Sequence, residues 1–288
     1  MRPLLCSLAV ATAVALTGCG GGHAQSATPS PARVTAEPPP STPGAAFGRV
    51  QPVPEAVARL EQGAPWFLTI GDSITSGFTV DRSRAGVNSS WAVQLTRMLA
   101  AAGRPWRLYD TACPGETTAS YRTGCRDQQA TPLLIGRTQH DVALEAIRAH
   151  RADLRLIVVD LGSNDLIAAR FRGGDPNTVG GGLRTRLDGI VTELQAAAPG
   201  VPLLLTTYYD PFENSDATTL SAVLAINAGV ASLAAAHAVR LADFFGAINH
   251  LPPPYPDLCR WVDCRHLDIH PTIAGHARLA AAAYAAII

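Results

Sequence analysis

The segment WFLTI, residues 66–70, and the segment GDSITSG, residues 71–77, together decide the predicted fold class. The first is a short run of apolar and β-branched side chains, which indicates a buried strand. The second consists of small residues between two glycines, a composition typical of a turn that leaves the end of a strand. Ser73 lies in this turn, so we expect its hydroxyl to be exposed at the end of a sheet.

The same alternation of strand and helix continues to the end of the chain. Further buried strands are predicted over residues 106–109, 154–161, 201–207 and 239–242. Helices are predicted over residues 90–102, 141–149, 183–197, 220–236 and 273–285, with Ser89 or Ser90 capping the first and Thr272 the last. Helical crossovers of this length join parallel strands, so the sequence predicts a three-layer α/β/α fold with a mainly parallel five-stranded sheet.

Polar residues follow three of these strands at the edge where a parallel sheet binds its ligand. Ser73 follows the first strand, the tight turn that ends in Gly115 follows the second, and Gly162-Ser163-Asn164-Asp165 follows the third. Asp268-Ile269-His270-Pro271 precedes the last helix. A serine hydroxyl becomes an effective nucleophile when an imidazole takes its proton, and the same imidazole can protonate a leaving alcohol.

In this order the four segments resemble the SGNH hydrolase family, also called GDSL esterases and lipases, over about residues 62–288. Ser73 lies in a GDSI version of the first motif, Gly115 matches the second block, Asn164 lies in a GSND version of the third, and His270 precedes proline in the last. The resemblance implies a flavodoxin-like SGNH hydrolase fold, an acyl-enzyme on Ser73 and His270 as general base. It also implies an oxyanion hole from the backbone N–H groups of Ser73 and Gly115 and the side-chain amide of Asn164. No metal or organic cofactor is implied.

The chain departs from the family pattern at the third member of the catalytic triad. The family usually carries an aspartate three residues before the histidine, where this chain has Leu267. Asp268 lies two residues before His270. Either the turn brings the Asp268 carboxylate to the imidazole, or a backbone carbonyl near residue 267 orients the ring. We favour Asp268.

Several neighbouring side chains are expected to be structural. Asp72 is predicted to accept backbone N–H groups of its own turn, and Asp165 to support Asn164 or to cap a loop. His276 is expected to have a packing or surface role with its hydrogen bonds satisfied. Residues 208–211 are predicted to form a wall of the crevice. The segments 122–139 and 171–182 are predicted to be long loops on the crevice side.

The amino terminus predicts export. Residues 1–18 have the charged start and short apolar stretch of a signal peptide, and they end before Cys19 in a sequence that resembles the bacterial lipoprotein box. Diacylation of Cys19 would anchor the protein to the membrane, whereas an ordinary secretory signal would release it. Residues 19–60 are rich in Pro, Ser, Ala and Gly, which predicts a disordered tether before a hydrolase domain at residues 61–288.

Four cysteines remain for disulfides in an oxidising compartment. Their spacing favours the local pairs Cys113–Cys125 and Cys259–Cys264 among three connectivities. A zinc site built from Cys259, Cys264, His266 and His270 is the disfavoured alternative, because the chain has no paired CxxC motifs.

The balance of charge and the motifs bound the function. The chain has 23 basic and 23 acidic residues, so nothing indicates a nucleic-acid partner. The leading prediction is a monomeric serine hydrolase that cleaves a small-molecule ester or a lipid ester at the membrane. The alternatives are an acetyl-polysaccharide esterase and a glycan-binding envelope module without catalytic activity.

Overall fold

The computed structural model describes residues 63–78, 88–127, 131–171, 176–212, 219–249, 255–266 and 268–288. The strands are β1 Trp66–Gly71, β2 Arg107–Asp110, β3 Leu154–Asp160, β4 Leu203–Thr206 and β5 Arg240–Ala242. The helices are α1 Trp91–Ala101, α2 Gln139–His150, α3 Ser163–Phe171, α4 Pro176–Ala197, α5 Thr219–Ala236, α6 Phe244–Ile248, α7 Leu258–Trp261 and α8 Ile273–Ile287. Short 3₁₀ turns occur at Ser120–Arg122, Pro132–Leu134, Arg151–Asp153 and Cys264–His266.

The five strands form one parallel sheet in the order β2-β1-β3-β4-β5. This confirms the predicted α/β class and the five predicted strands, whose ends differ from the expected ones by a few residues. In this flavodoxin-like order the chain reverses direction across the sheet between β1 and β3, and ligands bind beyond the carboxyl ends of the strands at such a point. Ser73 follows β1 and Asn164 lies just beyond β3, so the topology places both at this switch point.

Alternate residues of the strands enter two separate cores. On β1, Trp66, Leu68 and Ile70 pack against α2, α4 and α5. Phe67 faces the other way and packs with α1, α6, α7 and α8. The sheet is therefore the middle layer of three, and the helices on both sides hold it against movement near the site.

The helix starts follow the capping rules. The Ser90 hydroxyl accepts a hydrogen bond from Val93 N at the start of α1, and the Thr272 hydroxyl accepts one from Gly275 N at the start of α8. Both caps were predicted. Thr138 caps α2 by accepting from Asp141 N, so α2 begins at Gln139 instead of residue 141.

The sequence prediction missed helical structure in two regions. No helix was predicted directly after β3, yet Ser163 opens α3 there. Much of the predicted loop 171–182 is helical, because α4 begins at Pro176 and runs through three successive glycines. Gly180 lies in close contact with α5: a Cβ there would be 3.1 Å from Ile226 Cγ1. The small residue lets α4 and α5 approach each other.

Helix α5 is long and apolar enough to cross a membrane by length and composition, with a mean hydropathy of 1.7. The buried residues of α5 are Val223, Ile226, Asn227, Val230, Leu233 and Ala234. Helices that pack in the core of a domain meet the same criterion, and α5 packs against α4 and the sheet.

The disulfides follow the local pairing that the spacing favoured. Cys113 is bonded to Cys125 and Cys259 to Cys264, with Cα atoms 5.8 Å and 5.0 Å apart. The predicted signal peptide, the lipidation site Cys19 and the tether to residue 60 lie outside the described residues.

Candidate active site

The turn after β1 holds Ser73 at the carboxyl edge of the sheet. Ser76 N donates to Asp72 O at 3.1 Å, and Phe78 N donates to Ser73 O at 2.9 Å, so the backbone curls tightly around the serine. Gly71 is required at the start of this turn, because a Cβ there would collide with the Thr75 side chain. Ser73 is nearly buried, at 7% exposure, and its hydroxyl is directed at a single imidazole.

His270 connects Ser73 to a carboxylate. Its Nε2 lies 2.9 Å from Ser73 Oγ, and its Nδ1 forms a hydrogen bond with the Asp268 carboxylate. The same carboxylate accepts His270 N at 3.0 Å. The turn between Asp268 and His270 thus brings the acid to the ring despite the two-residue spacing. The sequence left open whether Asp268 or a backbone carbonyl orients the imidazole, and in the structure the partner of Nδ1 is Asp268.

The loop that carries His270 is fixed from several sides. Asp263 N donates to His270 O at 3.0 Å, and the Tyr209 hydroxyl donates to Ile269 O at 2.8 Å. The Phe78 ring lies against the imidazole, with ring centroids 4.6 Å apart. These contacts restrict the imidazole to the orientation that faces Ser73.

Burial sets the protonation of His270. Desolvation lowers the pKa of His270 below its ordinary value of 6.5, and the neighbouring Asp268 carboxylate opposes this by favouring the charged ring. The net direction is downward, so the imidazole is neutral at pH 7 and Nε2 can accept a proton.

The loop that carries Gly115 is hydrogen-bonded to Asn164 through Glu116 O. Gly115 adopts a left-handed conformation with φ +79°, which turns the loop after β2 towards α3. The Asn164 amide nitrogen donates to Glu116 O at 3.0 Å and to Asp72 Oδ2 at 3.1 Å. The structure therefore brings together all four segments that the sequence singled out.

Asp72 and Asp165 are both structural, as expected, but their partners include residues farther away in the sequence than predicted. Asp72 accepts Ile74 N of its own turn at 2.9 Å and also accepts the Ser163 hydroxyl. Asp165 accepts Thr118 N at 2.8 Å and pairs with Arg186, so it caps the Gly115 loop. Together they attach the turn after β1 and the loop after β2 to the start of α3.

A second buried carboxylate, Asp160, lies beneath the nucleophile turn. It accepts hydrogen bonds from Thr75 Oγ1 at 2.7 Å, Trp91 Nε1 at 3.2 Å and Thr206 Oγ1 at 2.6 Å. Burial raises the pKa of Asp160 and, with the nearby Asp160 charge, raises the pKa of Asp72 to about 8. The pair therefore carries less than two negative charges near neutral pH, and Asp72 is a poor candidate for a second base.

An apolar cavity of about 250 Å³ lies beside these groups. Ile74, Ser163 and Ile269, which are the neighbours in sequence of Ser73, Asn164 and His270, line its near end. The rest of the lining comes from α3, from the start of α5 and from residues 207–212, including Leu166, Ile167, Tyr208, Pro211, Phe212, Ala222 and Val223. Residues 208–211 thus form a wall, as predicted.

Two points about histidine and cysteine are settled by the contacts, and of the two only the expectation that the hydrogen bonds of His276 are satisfied was wrong. The disfavoured zinc site is not formed, because Cys259 and Cys264 are bonded to each other and His270 faces Ser73. His276 is fully buried, but neither of its ring nitrogens has a hydrogen-bond partner among the residues that the structure describes. Burial lowers the pKa of His276 to about 3, so it packs as a neutral ring.

Sequence reasoning missed Gln139, Glu116 and the parts of the cavity lining that come from α3 and α5. Gln139 and Glu116 are both fully buried, and Gln139 contacts the backbone of Gly71. Gln139 was placed at the end of a predicted loop. The sole signal in the sequence was its position behind a capping threonine, which does not indicate burial.

Residues 69–278 match the sequence model of the GDSL-like lipase/acylhydrolase family. Among solved structures, the fold is similar to that of Axe2, an acetylxylan esterase from Geobacillus stearothermophilus, at a TM-score of 0.55 and 19% identity over 78% of this chain and 94% of that one. It is also similar to that of a lipase/acylhydrolase from Enterococcus faecalis, at a TM-score of 0.51 and 17% identity over 77% of this chain and 94% of that one. A third similar structure is that of LAE5, an α/β hydrolase enzyme from the metagenome of Lake Arreo. Its TM-score is 0.53, at 20% identity over 79% of this chain and 96% of that one. No curated protein matches the chain in sequence.

Proposed function

Because the chain belongs to the GDSL-like lipase/acylhydrolase family, we propose that it is a serine hydrolase that cleaves carboxylic esters through an acyl-enzyme on Ser73. The observation that carries the proposal is the hydrogen-bonded series Asp268–His270–Ser73, with His270 Nε2 at 2.9 Å from Ser73 Oγ. This separation lies within the distance at which a general base removes a hydroxyl proton.

In the first half of the reaction, His270 Nε2 takes the Ser73 proton as Oγ adds to the ester carbonyl carbon. The carbonyl π electrons move to oxygen and form an oxyanion. When the oxyanion collapses, the bond from carbon to the alcohol oxygen breaks, and His270 returns the proton to that oxygen. The alcohol leaves and the acyl group remains on Ser73. Asp268 stabilises the imidazolium that exists between these steps.

In the second half, water replaces the alcohol. His270 Nε2 takes a proton from water, the oxygen adds to the acyl carbonyl, and the bond from carbon to Ser73 Oγ breaks as Oγ regains a proton. The products are a carboxylic acid and the free serine, so each half returns His270 to its neutral form. The lowered pKa of His270 keeps it available for both proton removals.

The oxyanion would be bound by the N–H groups of Ser73 and Gly115 and by the Asn164 amide. Both hydrogens of that amide already face acceptors, Asp72 and Glu116 O. A substrate oxyanion would share one of them in a bifurcated bond. Donors positioned in advance contribute about 10²–10³ in rate each.

The cavity supports an ester with an apolar acyl chain as substrate. Its near end is formed by the neighbours of Ser73, Asn164 and His270, and its lining is mainly aliphatic and aromatic. A cavity of this kind favours apolar groups, and it offers few polar groups to a sugar. We therefore place the acyl chain there and the alcohol on the open side near Phe78, which favours a lipid-like ester over an acetylated polysaccharide.

The test is hydrolysis of p-nitrophenyl esters from acetate to dodecanoate by the purified protein, alongside Ser73→Ala. We expect kcat/KM to rise from acetate to a chain of intermediate length, and Ser73→Ala to remain folded and inactive. A fluorophosphonate should label the parent protein at Ser73. Absence of both turnover and labelling would contradict the hydrolase proposal and favour glycan binding, and an optimum at acetate would favour the acetyl-polysaccharide esterase.

We also propose that the protein is exported and anchored through lipid on Cys19. The support is the sequence of residues 1–19 and the two disulfides, which form in oxidising compartments. Expression of the parent and Cys19→Ser in a bacterium, followed by membrane fractionation, tests it. We expect the parent in the membrane fraction and the variant in the soluble fraction, and equal distribution would contradict the anchor.

A further inference from the structure

The side-chain amide of Gln139 connects the segments that carry the proposed oxyanion donors. Its oxygen accepts Gly71 N at 2.7 Å, and its nitrogen donates to Gly71 O at 3.0 Å and to Glu116 Oε2 at 3.3 Å. Gly71 is two residues before Ser73, and Glu116 directly follows Gly115. One buried amide thus holds the backbone before the nucleophile and the side chain next to the oxyanion loop.

These contacts form part of a closed ring of hydrogen bonds. From Gly71 the ring passes through Gln139 to Glu116, whose backbone oxygen accepts the Asn164 amide at 3.0 Å. Asn164 then donates to Asp72, which is bonded covalently to Gly71. The ring therefore passes through or beside each of the three segments that carry the donors, the Ser73 turn, the Gly115 loop and the start of α3.

A role within α2 alone does not explain why the Gln139 side chain is buried. Thr138 already caps the helix, so α2 does not need the glutamine side chain for its N–H groups. Gln139 is 0% exposed although it is the first residue of a helix, where polar side chains usually face solvent. Burying an amide is unfavourable unless its hydrogen bonds are made. The three hydrogen bonds that this amide makes to described residues all go to Gly71 and Glu116.

We propose that Gln139 is a positioning residue that fixes the nucleophile turn relative to the oxyanion loop, with the Glu116 carboxylate as its partner. The inference rests on the proposed function and deepens it, because it assigns a role to two residues that touch no substrate. Beyond the end of β2, Gly71 O accepts one backbone hydrogen bond, from Cys113 N at 3.0 Å, and Gln139 supplies the acceptor for Gly71 N. Burial raises the pKa of Glu116, and the donated hydrogen bonds from Ser120, Gln139 and Thr117 oppose this.

The chain contains a matched control in Asn227. Its side-chain oxygen accepts Tyr208 N and its nitrogen donates to Tyr208 O, both at 2.8 Å. This is the same amide clamp on the backbone after a strand, but it follows β4 and holds Tyr208, which reaches the start of α3 only through its hydroxyl on Leu161 O. Gln139→Met and Asn227→Leu each remove one buried clamp with little change of shape, so a general loss of stability should affect both.

The experiment compares these variants with the parent in hydrolysis of p-nitrophenyl acetate, which is too short to sample the acyl cavity, and in the rate of fluorophosphonate labelling. We expect Gln139→Met to lower kcat and the labelling rate by about 10²-fold with KM within about threefold. Asn227→Leu should lower Tm by about as much as Gln139→Met does, but should keep kcat within about twofold of the parent value.

A charge exchange tests the pair directly. Gln139→Glu places a second carboxylate beside Glu116, so we expect a loss at least as large as that of Gln139→Met. Adding Glu116→Gln restores a donor between the two side chains and should recover about tenfold in kcat. The recovery does not depend on whether Gln139→Met folds.

Three outcomes would overturn the inference: unchanged kcat and labelling in Gln139→Met, equal losses of kcat in Gln139→Met and Asn227→Leu, or no recovery in the double variant. Failure of the fluorophosphonate to label the parent would instead contradict the proposed function itself. The labelling of the parent therefore separates the two failures.

Discussion

The two sides of the crevice are built differently. On the polar side, turns beyond β1 and β3 and before α8 hold Ser73, Asn164 and His270 through hydrogen bonds between buried and half-buried groups. On the apolar side, α3, α5 and residues 207–212 enclose the cavity mainly through aliphatic and aromatic contacts. Hydrogen-bond geometry is directional and apolar packing is not, so a small displacement should impair the first side far more than the second.

The largest effect should come from removing the base. We expect His270→Ala to lower kcat by at least about 10⁴-fold with little change in KM, because no other described group contacts Ser73 Oγ as a base. Steady-state hydrolysis of p-nitrophenyl butyrate measures this. His266→Ala is the control, since His266 is exposed and pairs with Asp263. If His270→Ala retained a tenth of the activity, His270 would not be the base.

The next effect concerns the orienting acid. Asp268→Asn should lower kcat by about 10³–10⁴-fold, as loss of the orienting carboxylate does in other triads. Asp268 raises the pKa of His270 against the lowering effect of burial, so its removal should move that pKa further below 6.5. The acid limb of the pH profile of kcat/KM should therefore shift to lower pH in the variant. The acid limb of the parent should therefore lie at higher pH than that of Asp268→Asn.

Asp263→Asn is the matched control for that profile, because Asp263 binds His266. An unshifted limb and a loss of less than about threefold in Asp268→Asn would indicate that a backbone carbonyl orients the ring.

These two sides also differ in how far the sequence predicted them. Ser73, Gly115, Asn164 and His270 could be identified because four short segments resemble the SGNH motifs, three of them after predicted strands and one before the last predicted helix. The five strands were likewise predictable from short apolar runs. The caps Ser90 and Thr272 followed from local chemistry that needs no tertiary contact.

The rest depends on contacts between distant segments. Gln139 bonds Gly71 across 68 residues, and nothing near Gln139 in sequence indicates this. The helical start of α4 was missed because its glycines are justified by the approach of α5, which a local rule cannot detect. The cavity lining comes from several elements without a motif. Whether Asp268 or a carbonyl would meet the imidazole likewise depended on the shape of one turn.

A smaller effect on the polar side is expected from Gly115→Ala. A Cβ at Gly115 meets nothing within 4 Å, so the cost is purely conformational, about 1–2 kcal/mol for an L-residue in the left-handed region. A loop that relieves this strain moves its N–H away from the oxyanion, and we expect kcat to fall by about 10–100-fold.

Gly103→Ala is the control, because Gly103 has nearly the same φ, +75°, and also has open space, but it follows α1 at the far end of the sheet. It should lower Tm by a similar amount and leave kcat unchanged. Equal losses of activity in both variants would show that the effect of Gly115→Ala is general destabilisation.

The smallest effect on chemistry should come from the apolar side. Ala222 lines the cavity from the first turns of α5, and leucine there would occupy space near Val223 and Phe212. We expect Ala222→Leu to lower kcat/KM for long acyl esters by about tenfold and to leave acetate within about twofold, because a few methylenes in an apolar pocket change discrimination by this order. Ala225→Leu, one turn further along α5, is the control, because Ala225 lines the cavity between α4 and α5, to which Ala222 also contributes, and not the acyl cavity. If Ala222→Leu lowered acetate and long-chain esters equally, the cavity would not hold the acyl chain, and the two sides of the crevice would not divide chemistry from selectivity.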